Sequence, residues 1–348
     1  MNSEDPISIP NHLRDGWHVA VLSKELRKKP LAMEFFGEPV VLFRKRDGTP
    51  VAMQDRCPHK NLPLSMGKVR GDQIECAYHG WQFNCEGRCT AIPCHGPAER
   101  TGKLRFRIPT YRVIEQDGWV WIKDISGNPL EEKLPRSLPR DKNHRWFDIK
   151  YQTIASPDLI LENGMDSAHT CFVHRGLFRS NPAQFINVVI RGTNDRVVAE
   201  TKGENQKKSG EKDLRVLTNK KEIRHVDEYH YPGSLQIDYW FGKSHLVTHL
   251  HVTPNDTGKT SVYIRMGLQF GFFTRAIYPV IWLITRKVVK QDRAILENQQ
   301  RMISRMGKRS FHHSLADMSA VMLSDLYKSG PRANKPEWEQ EENVSFKL

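Results

Sequence analysis

Cys57-Pro58-His59 and Cys76-Ala77-Tyr78-His79 are separated by sixteen residues, and the second run continues into Gly80-Trp81. Each is a cysteine–histidine pair compact enough to sit on one turn. In one class of [2Fe–2S] cluster, two thiolates hold one iron and two neutral imidazoles hold the other. That exchange of ligands removes negative charge and raises the reduction potential above that of an all-cysteine cluster. A Cys2His2 zinc site uses the same donor types. The order Cys-His-Cys-His between β-rich segments favours iron–sulfur.

Working outward, residues 16–125 read as an all-β domain. Residues 37–43 (GEPVVLF) contain an apolar run, Asp47-Gly48 marks a turn, and residues 51–54 (VAMQ) complete a hairpin. Residues 118–122 (GWVWI) are rich in strand formers. The two Cys–His turns fall between such strands, where a cluster is held at the tips of β-loops. Residues 126–150, with Pro129, Pro135 and Pro139 among basic residues, read as a linker.

A second constellation lies in residues 163–174, Asn-Gly-Met-Asp166-Ser-Ala-His169-Thr-Cys-Phe-Val-His174. Two histidines and a carboxylate with open positions form the facial triad of non-haem Fe(II) oxygenases. Ser156-Pro157-Asp158 is expected to start a helix carrying Glu162, Asn163, Asp166 and His169. Asp166 and His169, three apart, would share its face. His174, five residues beyond His169, would not, so the helix must end or distort near Cys171-Phe172. The third ligand comes from elsewhere. Asp292 is the first candidate, Glu297 the nearby alternative, and Asp158 or Glu162 weaker ones.

The catalytic part is expected over 151–310, with strands in 185–190, 196–199, 235–240, 245–252 and 260–265 and a helix from about 288 to 306. Residues 202–221 are polar and basic and read as an exposed loop or hairpin. Residues 311–348 read as a C-terminal tail, weakly ordered beyond Gly330. Trp240, Phe241, Phe270, Phe272 and Phe273 fit either an apolar substrate pocket or core packing.

The 348 residues suffice for two cores. The first ten residues show no secretory leader. The most apolar stretch, 276–284 (AIYPVIWLI), is too short to span a bilayer. It reads as a core element interrupted by Pro279, or else as a membrane-touching or substrate-lining surface. Cys85, Cys89, Cys94 and Cys171 read as packing thiols, and the chain as cytoplasmic. The net charge of +13 belongs to no aromatic–basic pattern of nucleic-acid recognition, and no nucleic-acid partner is expected. Solvated faces, or steering of an acidic redox partner, account for it.

On these motifs the chain resembles the oxygenase component of Rieske non-haem iron oxygenases, in particular the vanillate O-demethylase, dicamba demethylase and pheophorbide a oxygenase groups. The resemblance implies an α+β architecture, an all-β Rieske domain followed by a helix-flanked, helix-grip-like antiparallel sheet. It implies that Cys57, His59, Cys76 and His79 hold the cluster and that His169, His174 and Asp292 hold a mononuclear Fe(II). A reductase or ferredoxin would deliver electrons from NAD(P)H. The organic substrate would be hydroxylated or oxidatively demethylated with O2; desaturation or cyclisation is the alternative. A ferredoxin-like carrier with a ligand-binding domain is the reading from another class. The family's head-to-tail homotrimer would make Asp166 a bridge between a neighbour's cluster histidine and His169.

Overall fold

The computed structural model describes residues 9–95, 105–125, 134–136, 141–175, 177, 185–202, 223–256, 258–331 and 340–347. They fall into two compact units. One is Arg14–Leu138 with Thr253–Thr257; the other is Met1–Leu13, Pro139–Val252 and Gly258–Leu348.

The first unit holds β1 (His18–Leu22), β2 (Leu31–Phe35), β3 (Glu38–Arg44), β4 (Pro50–Gln54), β5 (Lys68–Arg70), β6 (Gln73–Glu75), β7 (Gln82–Phe83), β8 (Cys89–Ala91), β9 (Thr110–Gln116) and β10 (Trp119–Lys123). A six-stranded sheet runs β1-β10-β9-β4-β3-β2, and a four-stranded sheet runs β5-β6-β7-β8. The expected hairpin is present: Arg44 pairs with Pro50 across Asp47-Gly48. Gln116 pairs with Trp119 across Asp117-Gly118, both at positive φ (55° and 79°). Such a two-residue turn matches the twist of the strands it joins, and glycine adopts it without steric cost. The core around the cluster loops comprises Val41, Phe43, Met53, Leu64, Ile74 and Phe83, all fully buried.

The second unit contains β11 (Arg145–Thr153), α1 (Pro157–Met165), α2 (Thr170–Val173), β12 (Phe185–Gly192), β13 (Arg196–Lys202), β14 (Arg224–His230), β15 (Ser234–Phe241), β16 (Ser244–Asp256), β17 (Lys259–Gln269), α3 (Thr274–Met306), α4 (Met318–Ser329) and β18 (Gln340–Lys347). The eight strands form one sheet in the order β11-β17-β16-β15-β14-β13-β12-β18. The last residues of β16, from Thr253, belong to the first unit. α1 packs on α4, β14 and β15, and α3 packs on β11 and β17. Phe147, Tyr239, Phe241, Met266, Leu268 and Phe270 meet Ile281 of α3 in the core there.

Several expectations need correction. The long helix begins at Thr274, not near 288, and takes in Pro279. Phe241 and Phe270 are core, whereas Phe272 and Phe273 face solvent. Residues 340–347 are not a loose tail: they form β18, paired with β12 from Phe185–Lys347 to Gly192–Gln340. After the run Gln340-Glu341-Glu342-Asn343, Val344 and Phe346 alternate with Ser345 and Lys347 and pair with Val188 and Ile186. Of the basic stretch 202–221, only Lys202 lies within the described residues. No helix among the described residues is long and apolar enough to cross a membrane.

Candidate metal centres

The two Cys–His turns are built alike. Cys57 N–H donates to Leu62 O (2.9 Å) and Asn61 N–H to Cys57 O (2.9 Å). Cys76 N–H donates to Trp81 O (2.8 Å) and Gly80 N–H to Cys76 O (3.1 Å). The fourth residue after each cysteine closes the loop with positive φ, 59° at Asn61 and 70° at Gly80. Asparagine and glycine are the residues that reach this conformation most readily.

The loops bring all four side chains together. Cys57 and Cys76 are buried, 1% and 3% exposed, and are unbridged thiols. The rings of His59 and His79 lie 4.4 Å apart, His79 exposed and His59 half-buried. Trp81 stacks on His59 at 4.8 Å with the planes 6° apart. Burial, together with the neighbouring Cys76, pushes the Cys57 thiol up to about 11. Burial and the nearby His79 and Lys60 hold the His59 imidazole below its usual range. His59 Nδ1 is buried with no hydrogen-bond partner. Two adjacent buried thiols and two neighbouring imidazoles, one with an orphaned nitrogen, fit a Rieske cluster.

The second site sits where α1 stops. α1 ends at Met165, with Asp166 as its C-cap, so Asp166 and His169 do not share a helix as the sequence spacing suggested. Asp166 Oδ1 accepts from Ala168 N–H (2.7 Å) and His169 N–H (3.2 Å). This local side-chain bonding competes with helix continuation and ends it. His169 then caps the start of α2, and His174 caps its end. The five-residue spacing thus spans one short turn, with the two rings 5.2 Å apart.

Asp292 on α3 completes the group. Its Oδ1 lies 2.9 Å from His174 Nε2 and 3.6 Å from His169 Nε2. One ligating atom from each of the three lies within 4.8 Å of the others. His174 Nδ1 faces Gln291 Oε1 at 3.1 Å, which leaves Nε2 as the lone-pair nitrogen toward Asp292. Asp166 Oδ2 lies 3.5 Å from His169 Nδ1. Burial alone would lower the His169 pKa, but Asp166 and Asp292 outweigh it and raise it to about 9. Burial would likewise raise Asp292 and Asp166. His169 and His174 hold Asp292 below the usual carboxylate range, and His169 with the Ala168 and His169 amides does the same for Asp166. The donor types fit a ferrous ion: two imidazoles and one carboxylate, with Oδ1 of Asp292 lacking a hydrogen bond, His169 losing its proton when it ligates.

The other carboxylates are engaged elsewhere. Glu297 bonds Arg293 (2.8 Å) and Thr153 (3.1 Å), and Asp158 pairs with Arg309. Glu162 is pushed up to about 7 by burial and by Asp158. Cys85, Cys89 and Cys94 are free, and among the described residues His169, His174 and Asp292 are the one such metal-ligating trio. Gln291 and Asn61 were not singled out from sequence. The only signals for them are a glutamine next to the candidate ligand and an asparagine at the position equivalent to Gly80.

Residues 16–112 match the Rieske [2Fe-2S] domain, and residues 154–323 match the vanillate O-demethylase oxygenase C-terminal domain. The chain belongs to the Rieske oxygenase family. Among the relatives of this Rieske protein, chlorophyllide a oxygenase of Chlamydomonas reinhardtii is 34% identical over 50% of the chain and 26% of its own length. The oxygenase component of dicamba O-demethylase from Stenotrophomonas maltophilia is 35% identical over 47% of the chain and 48% of its own length. The chain thus spans half or less of these relatives' lengths. Dicamba monooxygenase bound to dicamba shares the fold, with a TM-score of 0.71 and 23% identity over 91% of this chain and 96% of that one.

Proposed function

We propose that this chain is the terminal oxygenase of a Rieske system. Cys57, His59, Cys76 and His79 hold the cluster, and His169, His174 and Asp292 hold a mononuclear Fe(II). The observation that carries the reading is the convergence of His169, His174 and Asp292 within 4.8 Å, oriented by Gln291 and Asp166. When bound, the cluster supplies single electrons and the ferrous ion activates O2. Exposed His79 is the edge of the cluster loops that a redox partner or a neighbouring chain can approach.

The chain's own groups set the geometry. Gln291 holds His174 in one tautomer, and Asp166 favours a proton on His169 Nδ1. In a head-to-tail homotrimer Asp166 is the bridge between His169 and a cluster histidine of the neighbour. Such a ring is a closed heterologous assembly. Electrons come from NAD(P)H through a reductase or ferredoxin, and the four unbridged cysteines outside the cluster, Cys85, Cys89, Cys94 and Cys171, suit the cytoplasm.

The substrate is a small aromatic or polycyclic molecule that is hydroxylated or loses a methyl group from oxygen or nitrogen. Dicamba O-demethylase and vanillate O-demethylase among the relatives support this class. The test supplies a generic reductase, NAD(P)H and a panel of methoxylated, N-methylated and sterol-like compounds. Formaldehyde or hydroxylated product, with substrate-dependent O2 uptake, is expected. NAD(P)H oxidation that no compound stimulates, with no product formed, would overturn the assignment.

A further inference from the structure

The start of α3 carries apolar side chains on its solvent side. In the turn just before the helix, Phe272 is 95% exposed and Phe273 is 65% exposed. Val280 and Leu283 are exposed as well. Positions 273, 276, 280, 283 and 287 recur every three or four residues, so they share one helix face. The opposite side is already occupied: Ile281 is buried and packed with Ile277, Tyr278 and Trp282 against the sheet core. The helix is therefore apolar on two sides here, which a helix facing only water does not need.

The charges on this segment have one sign. Residues 257–291 contain no Asp or Glu. Arg275, Arg286, Lys287 and Lys290 are exposed on this segment, and Arg286 lies over the Trp282 ring at 4.6 Å. Farther along α3, Ile295, Met302 and Met306 are also exposed. There Glu297 pairs with Arg293 and Arg301, as on an ordinary water-facing surface. A two-fold, isologous contact with a second copy is a poor fit for the first patch, because self-complementary pairing would set these cations against their own equivalents.

We infer that this edge docks on an anionic lipid surface. Phe272, Phe273, Val280 and Leu283 enter the interfacial layer, and Arg275, Arg286, Lys287 and Lys290 meet the lipid phosphates. The segment lies in the plane of the surface, since it is too short in apolar length to span. The inference is independent of the metal ligands and of the substrate class.

Sedimentation of the full-length, cluster-loaded protein with vesicles tests it. One vesicle set is pure phosphatidylcholine, and the other contains about one-third phosphatidylglycerol. The parent protein should sediment with the anionic set, stay in solution with the neutral set, and be released by salt. Phe272→Ser with Phe273→Ser should weaken anionic binding at least about tenfold, and Arg275→Gln with Lys287→Gln by about tenfold or more. Both doubles should keep the parent's cluster absorbance and, by light scattering, its mass. Absence of binding at low salt, or a phenylalanine double that binds like the parent, would overturn the inference. A phenylalanine double of smaller assembly mass would also overturn it, since the patch would then be an interface between copies.

Discussion

His169 stands between two carboxylates, and on the proposed ligand set its charge state governs metal uptake. In the metal-free chain Asp166 and Asp292 hold its pKa at about 9 against the pull of burial. Metal ligation requires the neutral ring, so uptake expels a proton. Below about 9 that proton opposes binding. Affinity for a divalent ion should rise about tenfold per pH unit from 7 toward 9, then flatten. Calorimetry of Zn(II) or anaerobic Fe(II) uptake reads this directly; an affinity constant over that range would contradict it. Stability of the metal-free fold has the opposite sign. The raised pKa contributes fully below the unfolded value near 6.5 and is lost as pH rises through about 9. Gln291→Leu, which removes the acceptor of His174 Nδ1–H, should weaken iron binding about 10- to 100-fold with the cluster spectrum intact. Asp166→Asn keeps the shape and removes a charge. Substantial iron and a normal cluster should remain, while single-turnover oxidation of the reduced cluster by O2 and substrate slows about a hundredfold. Oxidation at the parent rate would remove the bridging role. Loss of iron would make Asp166 a ligand. The convergence of His169, His174 and Asp292 was legible from sequence because few residue types can bind iron. Gln291 was not, because a glutamine on a helix has no signature until its partner is known.

The cluster loops depend on a backbone conformation as much as on their ligands. Gly80 has φ 70°, and a Cβ there would lie 3.0 Å from Pro93 Cγ. Gly80→Ala should cost roughly 1–2 kcal/mol, seen as a lower melting temperature and faster bleaching of the cluster. Unchanged melting and bleaching would show that the loop does not need this conformation. Strands made of runs such as Val40–Phe43 or Trp119–Ile122 were readable, because β-branched and aromatic residues packed on both faces leave a plain pattern. β14 was not, because its sequence RHVDEYH looks like a loop. Its His225 and Asp227 are buried yet bonded to each other at 2.8 Å, which removes the desolvation cost that polarity implied. β18 was obscured by its opening acidic and amide run, Gln340 to Asn343, which leaves only Val344 and Phe346 as apolar positions. α1 was extended too far because periodicity cannot register that the Asp166 side chain takes the amides that would continue the helix.

Over the whole molecule, the charge of +13 suits an acidic electron donor. Reduction of the cluster by such a donor should slow as salt rises, because exposed charges are screened beyond about 8–10 Å at physiological ionic strength. A rate indifferent to salt would leave the charge as a solubility feature. The two-part organisation was legible, since the first motif lies among strands, the second among strands and helices, and the basic, proline-containing stretch falls between them. The assembly of chains was not, because it depends on surface complementarity rather than on local pattern. On the proposed ligands one chain holds two independent iron centres. Iron and acid-labile sulfide counted per chain, in the parent and in His174→Ala, check this. Three irons and two sulfides are expected in the parent, and two irons, two sulfides and an unchanged cluster spectrum in the variant. A parent with two irons, or a variant that keeps all three, would contradict it.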